Sequence, residues 1–487
     1  MGITGGGEWS TMIYDAMVAA GSDTVTIAAS GESWSGDEFL RRSAGAARLL
    51  DEIGAPAGAA VPALFNNSPT AQAFLFAGSA TDRPLAPLGP RMTAREILAA
   101  VEPMRPAVLL AEPSSEALAN EVAAVAGCRV VVVDEIEPSD DPVAWHAEPD
   151  AVGYVLHTSG TTGKPKYIPT GQKSLAARTR LMVGLYDLKP ESVFAATSPI
   201  HHIAGLGLVA VTLATGATSV CFPDFSIEAW RRLRALGVTH VGTIATVVEM
   251  LMNAGEFALP TLKMVSYGAS ASKPETIVRM LEENPDVDFI TWYGQTEGSP
   301  MAYLSPEQHR WALEHDRRVL TTVGNAVPGG EIVIHDPDSS GVGEIWARAP
   351  HMVVTNADGW RESGDLGRIE EGGWLKLVGR KGDMIIRGGE NVYPIEVEGV
   401  LAEHPSIKEA VVVGIPHERL GETLKAYIQL LPGAEIPDTE ELHRFVRARL
   451  AGFKVPAEWA FVESIPRNQS GKVVRRDMGS APLLKRD

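Results

Sequence analysis

Cysteine is nearly missing from this 487-residue chain: Cys128 and Cys221 are the only two, and neither sits in a CxxC or metal-ligand spacing. That leaves no disulfide framework or thiolate metal site to read, and both are expected to be buried fillers. Positive charge is also short, with 43 Lys and Arg against 61 Asp and Glu for a formal net charge of −18. A sequence-independent nucleic-acid binder needs a basic footprint, so that class is excluded. Nothing at the N-terminus resembles a secretion signal, and Gly6 breaks the myristoylation pattern. The long uncharged run from Ile203 to Pro223 contains Gly205, Gly207, Gly216 and Pro223. These split it into a short helix and a strand, so it reads as core rather than as a membrane span. A cytoplasmic protein without a membrane span is expected.

What the chain has is 45% apolar residues, ample for sizeable cores, in a length that exceeds one typical domain. Up to about Asp150, strand-like runs at 61–65, 107–111 and 130–133 alternate with helical stretches at 36–53 and 93–101. That alternation predicts parallel βαβ layering. The acidic stretch from Asp134 to Asp150, without Lys or Arg, reads as a solvated connection. Further strands are expected at 193–197, 219–222, 240–243, 263–267 and 289–293. Beyond about Asn325 the texture changes to short strands and Gly-rich turns, typical of a small antiparallel subdomain. From about Gly382 helix and strand alternate again. The expected fold is α/β: a large N-terminal domain over 1–381, with parallel sheets and the antiparallel subdomain, and a smaller mobile α+β domain over 382–487.

The organising stretch is YVLHTSGTTGKPKYIP, residues 154–169. Val152 to His157 reads as a buried strand, followed by seven residues that are all Ser, Thr, Gly or Lys; Pro165 is expected to block regular pairing. Gly160 and Gly163 allow backbone N–H groups to converge on an anion. Thr158, Ser159, Thr161 and Thr162 add hydroxyl donors, and Lys164 and Lys166 add charge. The combination suits a polyphosphate, but two residues separate the glycines where a Walker A loop has four. In YGQTEG, residues 293–298, the polar groups follow a strand, where ligands of open α/β sheets bind. Tyr293 offers a face for adenine, Thr296 a hydroxyl for a phosphate and Glu297 a hard oxygen for Mg²⁺. Asp365 lies in a Gly-flanked turn and Lys472 in an SGK turn.

With PIHHIAG at 199–205, ESGDLG at 362–367, GRKGDMIIRGGENVYPIEVE at 379–398 and PRNQSGKVVRR at 466–476, these motifs run in one order along nearly the whole chain. The chain resembles the adenylate-forming superfamily of acyl-CoA synthetases, luciferases and peptide-synthetase adenylation domains. The resemblance implies ATP, Mg²⁺ and coenzyme A as cofactors and a small carboxylic acid as substrate. It assigns ATP or AMP to Thr158, Ser159, Gly160, Thr161, Thr162, Lys166, Gly268, Ala269, Ser270, Tyr293 and Gly294. It further implies that Asp365 binds the ribose hydroxyls with help from Arg380. Thr296, Glu297, His202 and Lys472 are the implied catalytic group, with Glu297 as metal ligand and Lys472 neutralising charge on the phosphate and carboxylate. An acyl pocket is expected around His202, Ile203, Val247, Tyr267, Gly268, Pro300 and Met301. By the same resemblance Gly388 and Gly389 line the pantetheine channel and Gly382 is the interdomain hinge.

Three departures stand out: Tyr167 replaces the usual glycine after PK, SGD replaces TGD, and Gly382 replaces an Asp or Lys. Ile203 occupies the position where amino-acid-activating relatives carry an Asp, so a largely apolar acid without a free amino group is expected; Glu249 is the alternative recogniser. The hairpin at 384–398 and the absence of an insertion between Gly343 and Asp365 favour CoA as acceptor, with a stand-alone enzyme loading a carrier protein as the alternative. Residues 205–210 also match GxGxxA with Asp224 beyond, which mimics the dinucleotide fingerprint of an NAD-dependent oxidoreductase. A non-catalytic nucleotide-binding protein is a further alternative, set against the presence of Lys472 and Glu297.

Overall fold

The computed structural model describes residues 8–28, 32–145, 147–159, 165–222, 225–268, 274–467 and 473–484. The chain forms two compact units, one of Met1–Ile332 with Ala347–Arg361, the other of Val333–Trp346 with Glu362–Asp487.

The first unit carries two sheets. The six-stranded sheet runs in the order Arg129–Val132, Val108–Ala111, Val61–Leu64, Leu85–Pro87, Val152–Ser159, Pro165–Gly171. All its neighbours are parallel except the last pair. The nine-stranded sheet is parallel from Asp288–Tyr293 through Met264–Gly268, His240–Gly242, Val193–Ala196 and Thr218–Cys221 to Thr24–Ala28. Antiparallel strands close both of its edges. The expected strands and helices are present, within a residue or two at their ends. Ser35 starts the helix Gly36–Glu52 by accepting from the Glu38 amide at 3.2 Å, and Asp37 and Glu38 favour its positive end. Thr93 and Glu96 close a reciprocal cap on Ala94–Val101.

Helix Pro69–Ala80 is apolar or small apart from Gln72 and, apart from Thr70, wholly buried, as a largely apolar helix must be. Phe74 packs on Phe65 and Phe76 stacks on Trp145 at 4.8 Å. Trp145 and Ile136 thus fasten the acidic stretch that was expected to be a solvated connection. Arg41 pairs with Asp140 at 2.7 Å, so the stretch borrows its cations from a neighbouring helix. Pro165 is a second correction. It does not block pairing but opens the return strand, with Ser159 opposite it in register. A first residue on an edge strand needs no N–H, so proline costs nothing there.

Residues 203–223 divide into the helix Ile203–Leu213 and the strand Thr218–Cys221, as expected. No helix among the described residues is long and apolar enough to cross a membrane. Gly205 and Gly207 lie inside that helix, where side chains would collide with the Ser198 and Pro199 carbonyls and with Arg178. They are packing glycines rather than a phosphate turn, which removes the dinucleotide fingerprint. Arg178 is buried and donates to the Gly207 and Ser299 carbonyls at 2.8 and 2.9 Å.

A four-stranded sheet, most of whose residues lie in the second unit, runs in the order Glu331–His335, Gly343–Arg348, Arg361–Ile369, Leu375–Arg380. Its last pair is antiparallel. The other sheet runs Glu390–Val392, Ile385–Arg387, Gly421–Leu430, Ile407–His417, with Glu458–Val462 parallel to Gly421–Leu430. Helices Pro394–Ala402 and Thr439–Arg447 supply Val397, Leu401, Leu442 and Val446 to its core.

Buried histidines give the first unit a pH dependence. Burial pushes His157, His240, His309 and His351 down from 6.5 to about 4. Between those values the unfolded chain holds more protons than the folded one, so stability rises with pH across that window. The contribution is fully present above pH 6.5 and is lost as pH falls toward 4. We expect a melting temperature that is level from about pH 8 to 7 and drops steadily from about pH 6.5 to 4.5. Scanning fluorimetry checks this; a level melting temperature through the acid range would contradict it.

Candidate active site

The hairpin of Val152–Ser159 and Pro165–Gly171 carries Thr158, half-buried, opposite exposed Lys166, and His157 opposite Tyr167. Gly160, Thr161, Thr162, Gly163 and Lys164 lie outside the described residues, as do Ala269, Ser270 and Lys472. The His157 ring stands edge-on to Tyr167 at 5.9 Å. Neither of its ring nitrogens has a hydrogen-bond partner among the described residues. Its low pKa keeps it neutral at physiological pH. Tyr167 is 41% exposed and makes this end of the hairpin as bulky as its sequence implied.

Two parallel strands end side by side at the next group. Gly268 pairs with Trp292, and a side chain on it would stand 2.9 Å from the Trp292 carbonyl. Tyr293, buried, is the last residue of its strand; Met301 returns to it, its backbone N–H donating a hydrogen bond to the Tyr293 carbonyl at 2.7 Å. Between them the chain turns, with the Gly298 amide on the Gln295 carbonyl at 3.0 Å. Thr296 is half-buried in that turn and Glu297 is 7% exposed. The Glu297 carbonyl accepts from the Val353 amide at 2.8 Å, and its carboxylate pairs with Arg361 at 3.3 Å. Arg361 also reaches Gln295 Oε1 at 3.0 Å. The sequence motifs do not reveal this arginine. No local spacing links it to Glu297, 64 positions away in the chain.

The acyl-pocket candidates are more varied in burial. His202 precedes the first turn of the helix Ile203–Leu213, without a side-chain capping bond, and lies against His201, ring centroids 4.3 Å apart. Burial, with His202 and Arg91 nearby, pushes His201 down to about 3. Ile203 is half-buried against the main core cluster, Val247 and Glu249 are half-buried, and Pro300 and Met301 are buried. Tyr267 is 3% exposed and its hydroxyl donates to His309 Nε2 at 2.6 Å. The His309 Nδ1–H is in turn held by the Ser305 carbonyl at 2.8 Å.

In the second unit Asp365 sits opposite Arg380 on neighbouring strands, with Arg380 Nε 3.1 Å from its carboxylate. The Ser363 hydroxyl accepts from the Asp365 amide at 3.0 Å, so the hydroxyl kept by the SGD variant is used locally, and the turn expected around Asp365 is instead the interior of a strand with Gly364 at φ +71°. Gly388 and Gly389 form a two-residue hairpin between Ile385–Arg387 and Glu390–Val392, with φ of +62° and +90°. Such turns need positive φ at both positions, which explains the paired glycines locally. Gly382 has open space where a side chain would go. Lys381 pairs with Glu344 at 2.9 Å, and Asp383 with Arg475 at 3.2 Å.

Residues 15–355 match the AMP-binding enzyme family and residues 396–472 its C-terminal domain. The chain belongs to the AMP-binding enzyme family. It is 30% identical over 488 residues to the fatty acid–[acyl-carrier-protein] ligase ScoC of Streptomyces coeruleorubidus, covering 93% of each chain. It is 30% identical over 448 residues to an indoleacetate–CoA ligase of Aromatoleum aromaticum, covering 85% of this chain and 86% of that one. Among solved structures, the amide bond synthetase McbA of Marinactinospora thermotolerans superposes with a TM-score of 0.85 at 28% identity, covering 97% of this chain and 99% of McbA. The adenylate-forming enzyme fold and family expected from the motifs are therefore those of this protein.

The hairpin supplies a prediction. At φ +90° any side chain strains Gly389, so Gly389→Ala should destabilise the second unit by about 1 kcal/mol. Urea titration checks this, and a change below about 0.3 kcal/mol would contradict a positive φ at this position.

Proposed function

We propose that this chain is an ATP-dependent acid–CoA ligase, which adenylates a largely apolar carboxylic acid with release of pyrophosphate and then passes the acyl group to CoA. The observation that carries the reading is the strand-end cluster of Tyr293, Thr296 and Glu297 in a chain that matches the AMP-binding enzyme family across both its domains. Tyr293 would stack on adenine, Thr296 would donate to the α-phosphate, and Asp365 with Arg380 would hold the ribose hydroxyls. The half-buried Ile203, which offers no carboxylate to a substrate ammonium, supports an apolar acid. The indoleacetate–CoA ligase and a feruloyl-CoA synthase of Amycolatopsis, 30% identical over 461 residues, support CoA as acceptor. The likeness to ScoC supports a second reading, transfer to a carrier protein.

Mg²⁺ fits the residues present. No group of three ligating side chains is assembled among the described residues. A Mg²⁺ that arrives on nucleotide phosphates needs only one or two carboxylates. Glu297 would hold it, and the ion would neutralise phosphate charge. Residues 1–381 would bind ATP and acid, and 382–487 would form the mobile domain hinged at Gly382. Lys472 would supply the mobile cation of the first step, where negative charge grows at the phosphorus. A cytoplasmic location completes the proposal.

Pyrophosphate exchange across aliphatic, aryl, alicyclic and amino acids tests the first step, and product analysis with CoA, a phosphopantetheinyl carrier and an amine tests the acceptor. Preferential turnover of an amino acid would overturn the apolar-acid reading. Lys472→Ala should slow adenylation by about 10²–10³-fold while leaving transfer from preformed acyl-AMP intact. An equal loss in both half-reactions would remove the role assigned to the lysine.

A further inference from the structure

Arg361 opens the strand Arg361–Ile369, and 14% of its side chain is exposed, against 10% for Glu297 beside it. Its guanidinium is held on two sides. Nη1 donates to the Val354 carbonyl at 3.2 Å, and Nη2 donates to Gln295 Oε1 at 3.0 Å and Glu297 Oε1 at 3.3 Å. Nε–H is buried with no acceptor among the described residues. All of these groups belong to one compact unit.

A guanidinium has five N–H donors in a fixed plane, and Nε–H points in parallel with one Nη2–H from the same edge. The unmet donor is therefore the neighbour of the Nη2 that holds Glu297 and Gln295, in the turn that follows Tyr293. A buried donor on a cation without an acceptor is costly. Water does not relieve that cost, because the atom is almost wholly covered, and an acceptor reaches it only with a shift of the turn after Tyr293. Glu297 already takes part of the positive charge through Nη2, which fixes the plane and leaves the fork half filled.

We propose that Arg361 is an oxyanion-binding residue of the adenylation centre: Nη2 orients the Glu297 carboxylate, and the buried Nε–H is completed by an anionic oxygen of a bound substrate. That oxygen is either a nucleotide phosphate oxygen or the carboxylate of the acid, two sources of the same chemistry. The role rests on the adenylating reading of this site, and adds to it a protein cation that does not depend on movement of Lys472.

The test compares AMP with adenosine by calorimetry on the wild-type chain, Arg361→Gln and Arg361→Lys, alongside pyrophosphate exchange at varied acid concentration. The lysine variant keeps a cation for Glu297 but loses the Nε–H fork, and it serves if the glutamine variant does not fold. If the oxygen is the phosphate's, AMP affinity falls by about 10–100-fold while adenosine affinity stays within about twofold. If it is the acid's, AMP affinity holds and the half-saturating acid concentration rises by about the same factor. Equal weakening of AMP and adenosine, or no change in AMP and acid alike, overturns the proposal and leaves Arg361 a structural tie. Failure of wild-type exchange with every acid would defeat the adenylating reading instead, and the AMP-against-adenosine comparison would still decide the phosphate contact.

Discussion

The close approach of two parallel strand ends controls where this protein can do chemistry. Met264–Gly268 and Asp288–Tyr293 pair in register as far as Gly268 and Trp292, one residue short of Tyr293, and Gly268 leaves room for the Trp292 carbonyl. Each then releases a polar segment from the same edge of the sheet. Parallel strands put their carboxyl ends on one side, so the segments after them converge there. Tyr293, Thr296 and Glu297 are functional candidates because of that edge, and Met301 fixes the length of the turn by pairing back to Tyr293.

Charge is the second constraint. A chain with net charge −18 that handles anions must hold its useful cations in place, because a free surface cation would be drawn to abundant carboxylates. Burial solves this in two ways. Arg178 donates to main-chain carbonyls of a helix and a turn, and so ties the two together through the backbone. Arg361 shares a carboxylate and an amide oxygen and keeps one donor unspent. The first is a structural use of a guanidinium, and the second is the one for which we propose a chemical use.

Much of the fold was legible in the sequence because strand and helix periods alternate over long stretches, and caps such as Ser35 and Thr93 mark the helix starts. The motif residues were legible because Tyr293, Thr296, Glu297 and Asp365 sit in short segments whose chemistry is local. What was missed depends on distance or on edges. Pro165 looks like a breaker until its strand is known to be the last in its sheet. The acidic stretch looks solvated until Trp145 is seen stacked on Phe76. Arg361 gave no signal, since its meaning comes from a partner far away in the chain. Gly388 and Gly389 carry the positive φ values that their hairpin requires, whatever else they line.

The helix Pro69–Ala80 joins the two sheets of the first unit: Gln72 bonds to Ser219 in one, and Gln172, which follows the strand pair of the other, bonds to Ser79. Small residues set its width, so growth at most of its positions would push on both sheets at once. A helix of 12 residues held this way couples the two sheets mechanically, so a side chain enlarged on one of its faces is felt by the sheet on the other.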